Sequence, residues 1–298
     1  MNNFLKKFRI SFVRNYKIFF GITITFLCIG FGSMLFRGFN LGIDFTGGTI
    51  MDLYFQRPVA VAELREVMSE QGLGNSIIQL ANSEGDVSPD ALIRTGIITD
   101  AKRREVVAAL EKKFGKYEIQ RMEQVDATVG GELIQQAVIA IVLSWVLMIA
   151  YISARFEFRF AIAAIIALII DVSVTLSYFS LLQVEVDSSF VAAILTVVGY
   201  SINSTIVVFD RIRENLKLRR RTETLTDMID NSIWQTMTRT FYTSLTSLFS
   251  VVAIFLWGGE TIRNFSFAML VGFSSGIYTS SFLAAPMWLF LRGKKAGD

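Results

Sequence analysis

Apolar stretches without charge recur six times along the chain: Ile18 to Phe36, Leu133 to Ala154, Phe160 to Val184, Ser188 to Phe209, Thr240 to Gly259 and Asn264 to Leu291. Only Asp171 places a charge inside any of them. A hydrocarbon core about 30 Å thick takes about 20 mostly apolar residues as a helix, and each stretch reaches that scale. Helices of soluble proteins average only about 11 or 12 residues, so these runs predict six membrane spans rather than six buried helices. The last run is long enough to tilt or to include a break.

Between the first two runs the pattern changes. Thr49 to Gln56 alternates like a strand, and Val61 to Gln71 places Val61, Leu64, Val67 and Met68 on one helical face after Pro58. Ser76 to Leu80 and Ala91 to Ile98 read as strands around the turn-rich segment 82–86. A second helix, capped by Asp100, runs through Phe114 with Val106, Val107, Leu110 and Phe114 inward, and Tyr117 to Met122 closes the set. This order predicts a split βαβ, ferredoxin-like domain. The expected fold class is therefore an α-helical polytopic membrane protein, a six-helix transmembrane bundle with an inserted α+β extracytoplasmic domain. The expected boundaries are a basic N-terminus (1–17), a first span (18–36), the ferredoxin-like domain (37–132), and a five-helix region (133–291) with spans at 133–154, 160–184, 188–209, 240–259 and 264–291. A basic loop is expected at 210–239 and a short tail at 292–298.

Composition agrees with a membrane setting: of 298 residues 52% are hydrophobic, and 18% are charged where soluble domains carry about a quarter. The net charge of +3 hides a strong asymmetry. Lys6, Lys7, Arg9, Arg14 and Lys17, then Arg155 and Arg159, then Arg211, Arg213, Lys217, Arg219, Arg220, Arg221 and Arg239, and finally Arg292, Lys294 and Lys295 all fall on one side of the predicted spans. The opposite connections are acidic or nearly neutral. The positive-inside rule then places both termini in the cytoplasm and the inserted domain outside. Basic residues beside spans are explained by anionic membrane lipid, and they do not call for nucleic acid. The first span reads as a retained signal anchor, since Arg37 follows it rather than a small-residue cleavage site. Cys28, the single cysteine, reads as a small buried filler.

The chain contains no His, which removes Ser-His and Cys-His hydrolysis and most zinc sites, and it has no Walker A pattern. No cofactor, metal or catalytic residue is called for, and the sequence does not read as that of an enzyme. What remains is polar chemistry in and beside the spans. Asp171 lies in the middle of the third span and reads either as a proton or ion relay or as a structural hydrogen-bonding group. The fourth span carries Gly199, Tyr200, Ser201, Ile202, Asn203, Ser204 and Thr205, where the small residues permit close helix approach and Asn203 needs a partner. Arg239 opens the fifth span. It either enters the membrane and requires a counter-charge or snorkels to the basic loop.

These residues carry a resemblance. Leu41 to Thr49, with Gly42, Asp44, Gly47 and Gly48, resembles the sequence after the first span in the SecD/SecF family of the resistance-nodulation-division superfamily. Val198 to Asn203, leading to Phe209-Asp210-Arg211-Ile212-Arg213-Glu214-Asn215, is similar to the family's fourth-span signature, with Gly199 inside it. The resemblance covers essentially the whole chain. It implies an inner-membrane protein-export subunit that pairs with SecD, associates with the SecYEG translocon and YajC, and couples the movement of protons or sodium ions to late translocation of a preprotein. It also implies a polar seam on the third to fifth spans, with Asp171, Asn203, Ser204 and Arg239 as relay candidates. The family's usual Asp is Ser204 here, and a hydroxyl cannot hold negative charge near neutral pH. Ile170 stands where many relatives have His. A carboxylate from the SecD half is therefore expected to complete the site. A small-molecule transporter half of the same superfamily and a non-conducting assembly scaffold remain the alternative readings. Asp44 reads either as a functional group or, with the glycines around it, as part of a tight turn from span to domain.

Overall fold

The structure, a computed structural model, describes residues 11–81, 86–219, 222–259 and 262–293. Lys6, Lys7, Arg9, Arg220, Arg221, Lys294, Lys295 and most of the expected 82–86 turn lie outside them. The chain divides into two compact units, one of residues 1–40 and 138–298 and one of residues 41–137.

In the smaller unit, one helical turn α2 (Ile43–Thr46) leads into β1 (Gly48–Ala60), α3 (Val61–Glu70), β2 (Ile77–Ala81), β3 (Val87–Thr95), α4 (Asp100–Phe114) and β4 (Tyr117–Val125). The sheet order is β2-β3-β1-β4 with every neighbouring pair antiparallel, which is the ferredoxin-like arrangement. Alternation along β1 sends Met51, Leu53 and Phe55 into a core shared with Leu64, Val67 and Met68 of α3 and Val106, Leu110 and Phe114 of α4. Two local expectations change. Thr99, not Asp100, caps α4, its hydroxyl accepting the Lys102 N–H at 3.2 Å, and Asp100 is the first helical residue. Pro58 does not introduce a helix but lies inside β1, where pairing with β3 shifts register between Tyr54 and Val59. A bulge tolerates a residue with no N–H to give.

The turn before β1 explains its glycines. Gly47 has φ +70° and its N–H closes α2 on the Ile43 carbonyl at 2.8 Å. Gly48 has φ +136°, and a Cβ there would lie 2.6 Å from the Thr95 carbonyl oxygen.

The larger unit is the helical bundle. Its helices are α1 (Tyr16–Arg37), the greater part of α5 (Ala127–Arg155), α6 (Phe158–Leu182), α7 (Ser188–Leu218), α8 (Leu225–Trp257), α9 (Arg263–Tyr278), a π-helical turn (Thr279–Leu283) and α10 (Ala284–Arg292). Among the described residues six segments are long and apolar enough to span a membrane, α9 to α10 counting as one. Helix α6 is the centre, with 61% of its apolar window buried, against 17% for α1 and 6% for α5. Small residues set this up: Ala161, Ala163, Ala164 and Ala167 line the core, and Phe160 stacks on Trp288 at 4.5 Å. Helix α1 approaches α6 so closely that a Cβ on Gly30 would meet Ser177 Oγ at 2.0 Å, and Ser33 and Ser180 share a hydrogen bond of 2.9 Å. Cys28 of α1 faces outward rather than into the core, so its side chain fills nothing.

The segment 210–239, expected as a loop, is helical over most of its length. Helix α7 continues to Leu218 and α8 starts at Leu225. Charged residues alone do not end a helix; Leu, Arg, Glu and Lys are good helix formers, and the Thr224 hydroxyl caps the start of α8. The extension of α8 receives the N-terminal segment: Asp230 accepts the N–H groups of Phe12 at 2.9 Å and Val13 at 3.0 Å, together with the Ser11 hydroxyl.

Gly48→Ala is expected to destabilise the smaller unit by more than about 1 kcal/mol, because both backbone angle and space forbid the methyl. Faster proteolysis of the region around β1 in the purified protein checks it. Tyr117 provides a pH test. Its hydroxyl donates to the Val107 carbonyl at 3.1 Å and is pushed up to about 12 by burial and then by the Glu111 charge. An unfolded Tyr ionises near 10, so the stability held by the protonated ring is complete below about pH 10 and is lost as pH rises toward 12. In Tyr117→Phe the fall of melting temperature across that interval is expected to be shallower than in the unsubstituted protein.

Candidate functional site

Asp171 occupies the middle of α6 with no exposure to solvent. A carboxylate here has four lone-pair directions to satisfy in a medium without water. Three hydroxyls satisfy them: Ser201 of α7 donates at 2.5 Å, Ser275 of α9 at 2.6 Å, and Thr279 at the first position of the π-turn reaches both oxygens at 2.9 and 3.0 Å. One side chain thereby ties three spans together. Small residues on α9 make the approach possible, since a Cβ on Gly272 would strike Val197 at 2.3 Å and one on Gly276 would press on Ser201 at 3.1 Å. The π-turn accompanies the same spot. An extra residue in one helical turn redirects the side chains that follow, and here Thr279 lies at the turn's start and on the carboxylate.

The other candidates lie elsewhere. Helices α7 and α8 run antiparallel: Tyr200 OH donates to the Thr243 carbonyl at 3.4 Å, and Asn215 Nδ2 donates to Ser232 Oγ at 2.8 Å and Gln235 Oε1 at 3.0 Å. Between these levels Ile206 and Val207 share a cleft of about 370 Å³ with Thr236 and Arg239. This register sets Asn203 and Arg239 at the same depth. Both are exposed on the outside of the bundle, Ser204 is half-buried, and none of the three side chains has a hydrogen-bond or ion-pair partner among the described residues. Gly199 lies one turn before Asn203 with nothing within 4 Å of an added Cβ, so no helix among the described residues uses its closeness. Exposed Thr243 and Thr246 continue the polar stripe along α8.

The helix α8 begins early, so Arg239 stands about 21 Å along its axis from Leu225, at 1.5 Å per residue. Asp210, Arg211 and Glu214 line the same cleft as Arg239, with Arg211 paired to Glu214 at 2.8 Å. Arg213 donates to the Arg155 carbonyl at 3.2 Å. Gly42, Asp44, Gly47 and Gly48 belong to the smaller unit's first turn, with Gly42 as the N-terminal flank of α2. Gly130, also in that unit, would drive a Cβ to 2.6 Å from the Phe45 carbonyl oxygen.

The polar residues therefore form two groups rather than one seam over the third to fifth spans. An internal cage joins Asp171 to the fourth and sixth spans, and an outer stripe joins Asn203, Ser204 and Arg239 on the fourth and fifth. Ser275 and Thr279 were absent from the expected set. Their signal was the i, i+4 spacing of hydroxyls interleaved with Gly272 and Gly276 on one helical face.

The cage is testable. Asp171→Asn keeps one acceptor and adds donors that a rotated hydroxyl can accept, whereas Asp171→Leu strands up to three buried hydroxyls at about 1–3 kcal/mol each. The melting temperature of the detergent-purified protein is expected to fall clearly further for Leu than for Asn. Equal melting of all three proteins would contradict the cage as the bundle's internal tie.

Comparison with known proteins adds a family. Residues 105–294 match the family model described as protein export membrane protein SecD/SecF, C-terminal, and residues 32–59 match the SecD/SecF GG motif. The protein translocase subunit SecF of Acidaminococcus fermentans is 62% identical over 292 residues, covering 97% of this chain and 99% of that protein. The SecF of Vibrio alginolyticus is 38% identical over 283 residues, covering 95% and 90%. The crystal structure of SecDF, a translocon-associated membrane protein from Thermus thermophilus, superposes with a TM-score of 0.86 at 32% identity and covers 96% of this chain. A super-membrane-facing form of SecDF gives a TM-score of 0.69. This chain spans 39% of the SecDF chain. The family model covers more than half of the chain and the SecF relatives match it over nearly its whole length, and the chain belongs to the SecD/SecF family of protein-export membrane proteins.

Proposed function

We propose that this chain is the SecF-type half of a protein-export motor, joined along its α7–α8 face to a SecD-type half and acting with it at the SecYEG channel, with YajC as a further companion. The observation that carries this reading is the polar stripe of Gly199, Asn203, Ser204, Arg239, Thr243 and Thr246, in which the Asn203, Ser204 and Arg239 side chains have no partner among the described residues. Exposed Asn and Arg side chains facing hydrocarbon are costly, whereas the same groups facing a second bundle are useful. That the chain matches 39% of a longer SecDF chain supports a missing half.

The proposed orientation follows from charge. Arg14, Lys17, Arg155, Arg159, Arg211, Arg213 and Arg292 border the same ends of their spans, which supports a reading with both termini in the cytoplasm and the ferredoxin-like domain across the inner membrane. The driving ion is a proton or sodium ion. Ser204 cannot carry charge, so a carboxylate of the SecD-type half faces Arg239, with Asn203 and Ser204 passing hydrogen bonds. Asp171, saturated by its three hydroxyls, holds the half rigid while the two halves move against each other. One charge crossing the membrane potential releases about 2.3 kcal/mol per 100 mV, enough to bias a swing between two arrangements. Ser204 is also the observation that favours the second reading, a scaffold that conducts nothing.

Arg239→Met, expressed with its partner half in cells lacking their own copy, is expected to lose the part of secretion that depends on the ion gradient, and Arg239→Lys to retain some of it. Secretion by Arg239→Met that still responds to the gradient as the unsubstituted protein does would exclude Arg239 from the relay and favour the scaffold.

A further inference from the structure

A second cleft, of about 470 Å³, opens where the ends of α5, α6, α7 and α10 meet. Arg155, Arg213, Lys217 and Arg292 line it, and Glu157 is the only acidic side chain that does. None of these four cations has a carboxylate within 4 Å among the described residues. Like charges gathered this closely repel unless an anion sits among them. The surrounding structure nevertheless holds them in place. Arg155 and Arg213 both lie over the Phe156 ring, at 6.0 and 5.5 Å, and Arg292 lies over Trp288 at 5.2 Å. The Arg213 Nη1 is fixed on the Arg155 carbonyl, and Arg159 donates to the Arg292 carbonyl at 3.5 Å. One Arg292 nitrogen, Nη1, is withdrawn from solvent and has no hydrogen-bond partner among the described residues. A buried guanidinium N–H left open is costly and points to an acceptor that the described residues do not supply.

The position of the cleft narrows the ligand. Arg155 and Arg292 are the last residues of α5 and α10, so the cations stand where apolar spans give way to water, at headgroup depth. Phe156, Phe160 and Leu216 are its apolar lining. Guanidinium forks suit phosphate oxygens in paired N–H···O contacts, and an aliphatic chain suits apolar lining beside them. We propose that this cleft binds the phosphate of an anionic phospholipid headgroup, holding one lipid molecule between the second, third, fourth and sixth spans. The contact differs from the diffuse attraction of basic loops to acidic membranes because it is a shaped site with a vacant buried donor.

The purified full-length protein, placed in nanodiscs of phosphatidylcholine with one-fifth phosphatidylglycerol, is the test system. Native mass spectrometry after mild detergent exchange counts retained lipid. The unsubstituted protein is expected to retain phosphatidylglycerol in preference to phosphatidylcholine. Arg213→Gln with Arg292→Gln is expected to lower that preference by about tenfold or more, as the loss of charge-assisted contacts implies. Lys217 is exposed and has no partner among the described residues, so Lys217→Gln keeps the test free of folding effects; a smaller fall in the same direction is expected. Tens of millimolar inorganic phosphate should leave the lipid in place. Equal retention of the two lipids by the unsubstituted protein, unchanged retention in all variants, or full displacement by inorganic phosphate would each overturn the assignment, the last of them in favour of a free phosphate.

Discussion

The hydrocarbon interior offers no hydrogen bonds, and the bundle is organised around the one carboxylate that must nevertheless be accommodated there. Asp171 reaches the fourth and sixth spans through Ser201, Ser275 and Thr279. Everything near it follows from that demand. Gly272 and Gly276 have no side chain because α7 lies against them. The sixth span contains a π-helical turn at Thr279, the residue that contacts both carboxylate oxygens. Helix α6 is the most covered of the spans because it carries the group that the others must reach.

The same constraint, applied to the outside of the bundle, separates surface that faces lipid from surface that does not belong there. Helices α1 and α5 present Ile18, Ile22, Phe31, Val138, Val142 and Leu147 outward, which suits acyl chains. The α7–α8 face instead shows Asn203, Arg239, Thr243 and Thr246. Both patterns occur in one molecule, so the polar face is a local departure with its own cause. A second bundle on that face, as we propose, would supply the partners that lipid cannot.

Much of this was legible in the sequence, and the reasons differ by element. The six spans were visible because membrane thickness sets a length that charge-free runs either meet or miss. The ferredoxin-like order was visible because β1, α3 and α4 alternate with different periods around one core. Helix ends were harder to see: α7 and α8 extend through charged residues that are good helix formers, so the expected loop at 210–239 shrank to a short connection after Leu218. Pro58 misled because a bulge, which only strand pairing reveals, accommodates it. The cage around Asp171 was half legible. Its acid was evident, but which hydroxyls face it depends on helix rotation and on the π-turn, neither of which a 3.6-residue period discloses. Asn203 and Arg239 could be picked out as polar groups in or beside apolar runs, yet only the register of α7 against α8 shows that they share a depth and face outward together.

The central claim is that the α7–α8 face is an interface in the assembled membrane complex. Gly199 has open space around it, so a spin label on Gly199→Cys, in a Cys28→Ala background, fits without disturbing the bundle. Oxygen accessibility of that label, measured in bilayers with and without the co-assembled SecD-type half, tests the claim most directly. A marked fall in accessibility when the partner is present is the expected result. An equally high, lipid-like accessibility in both preparations would contradict it.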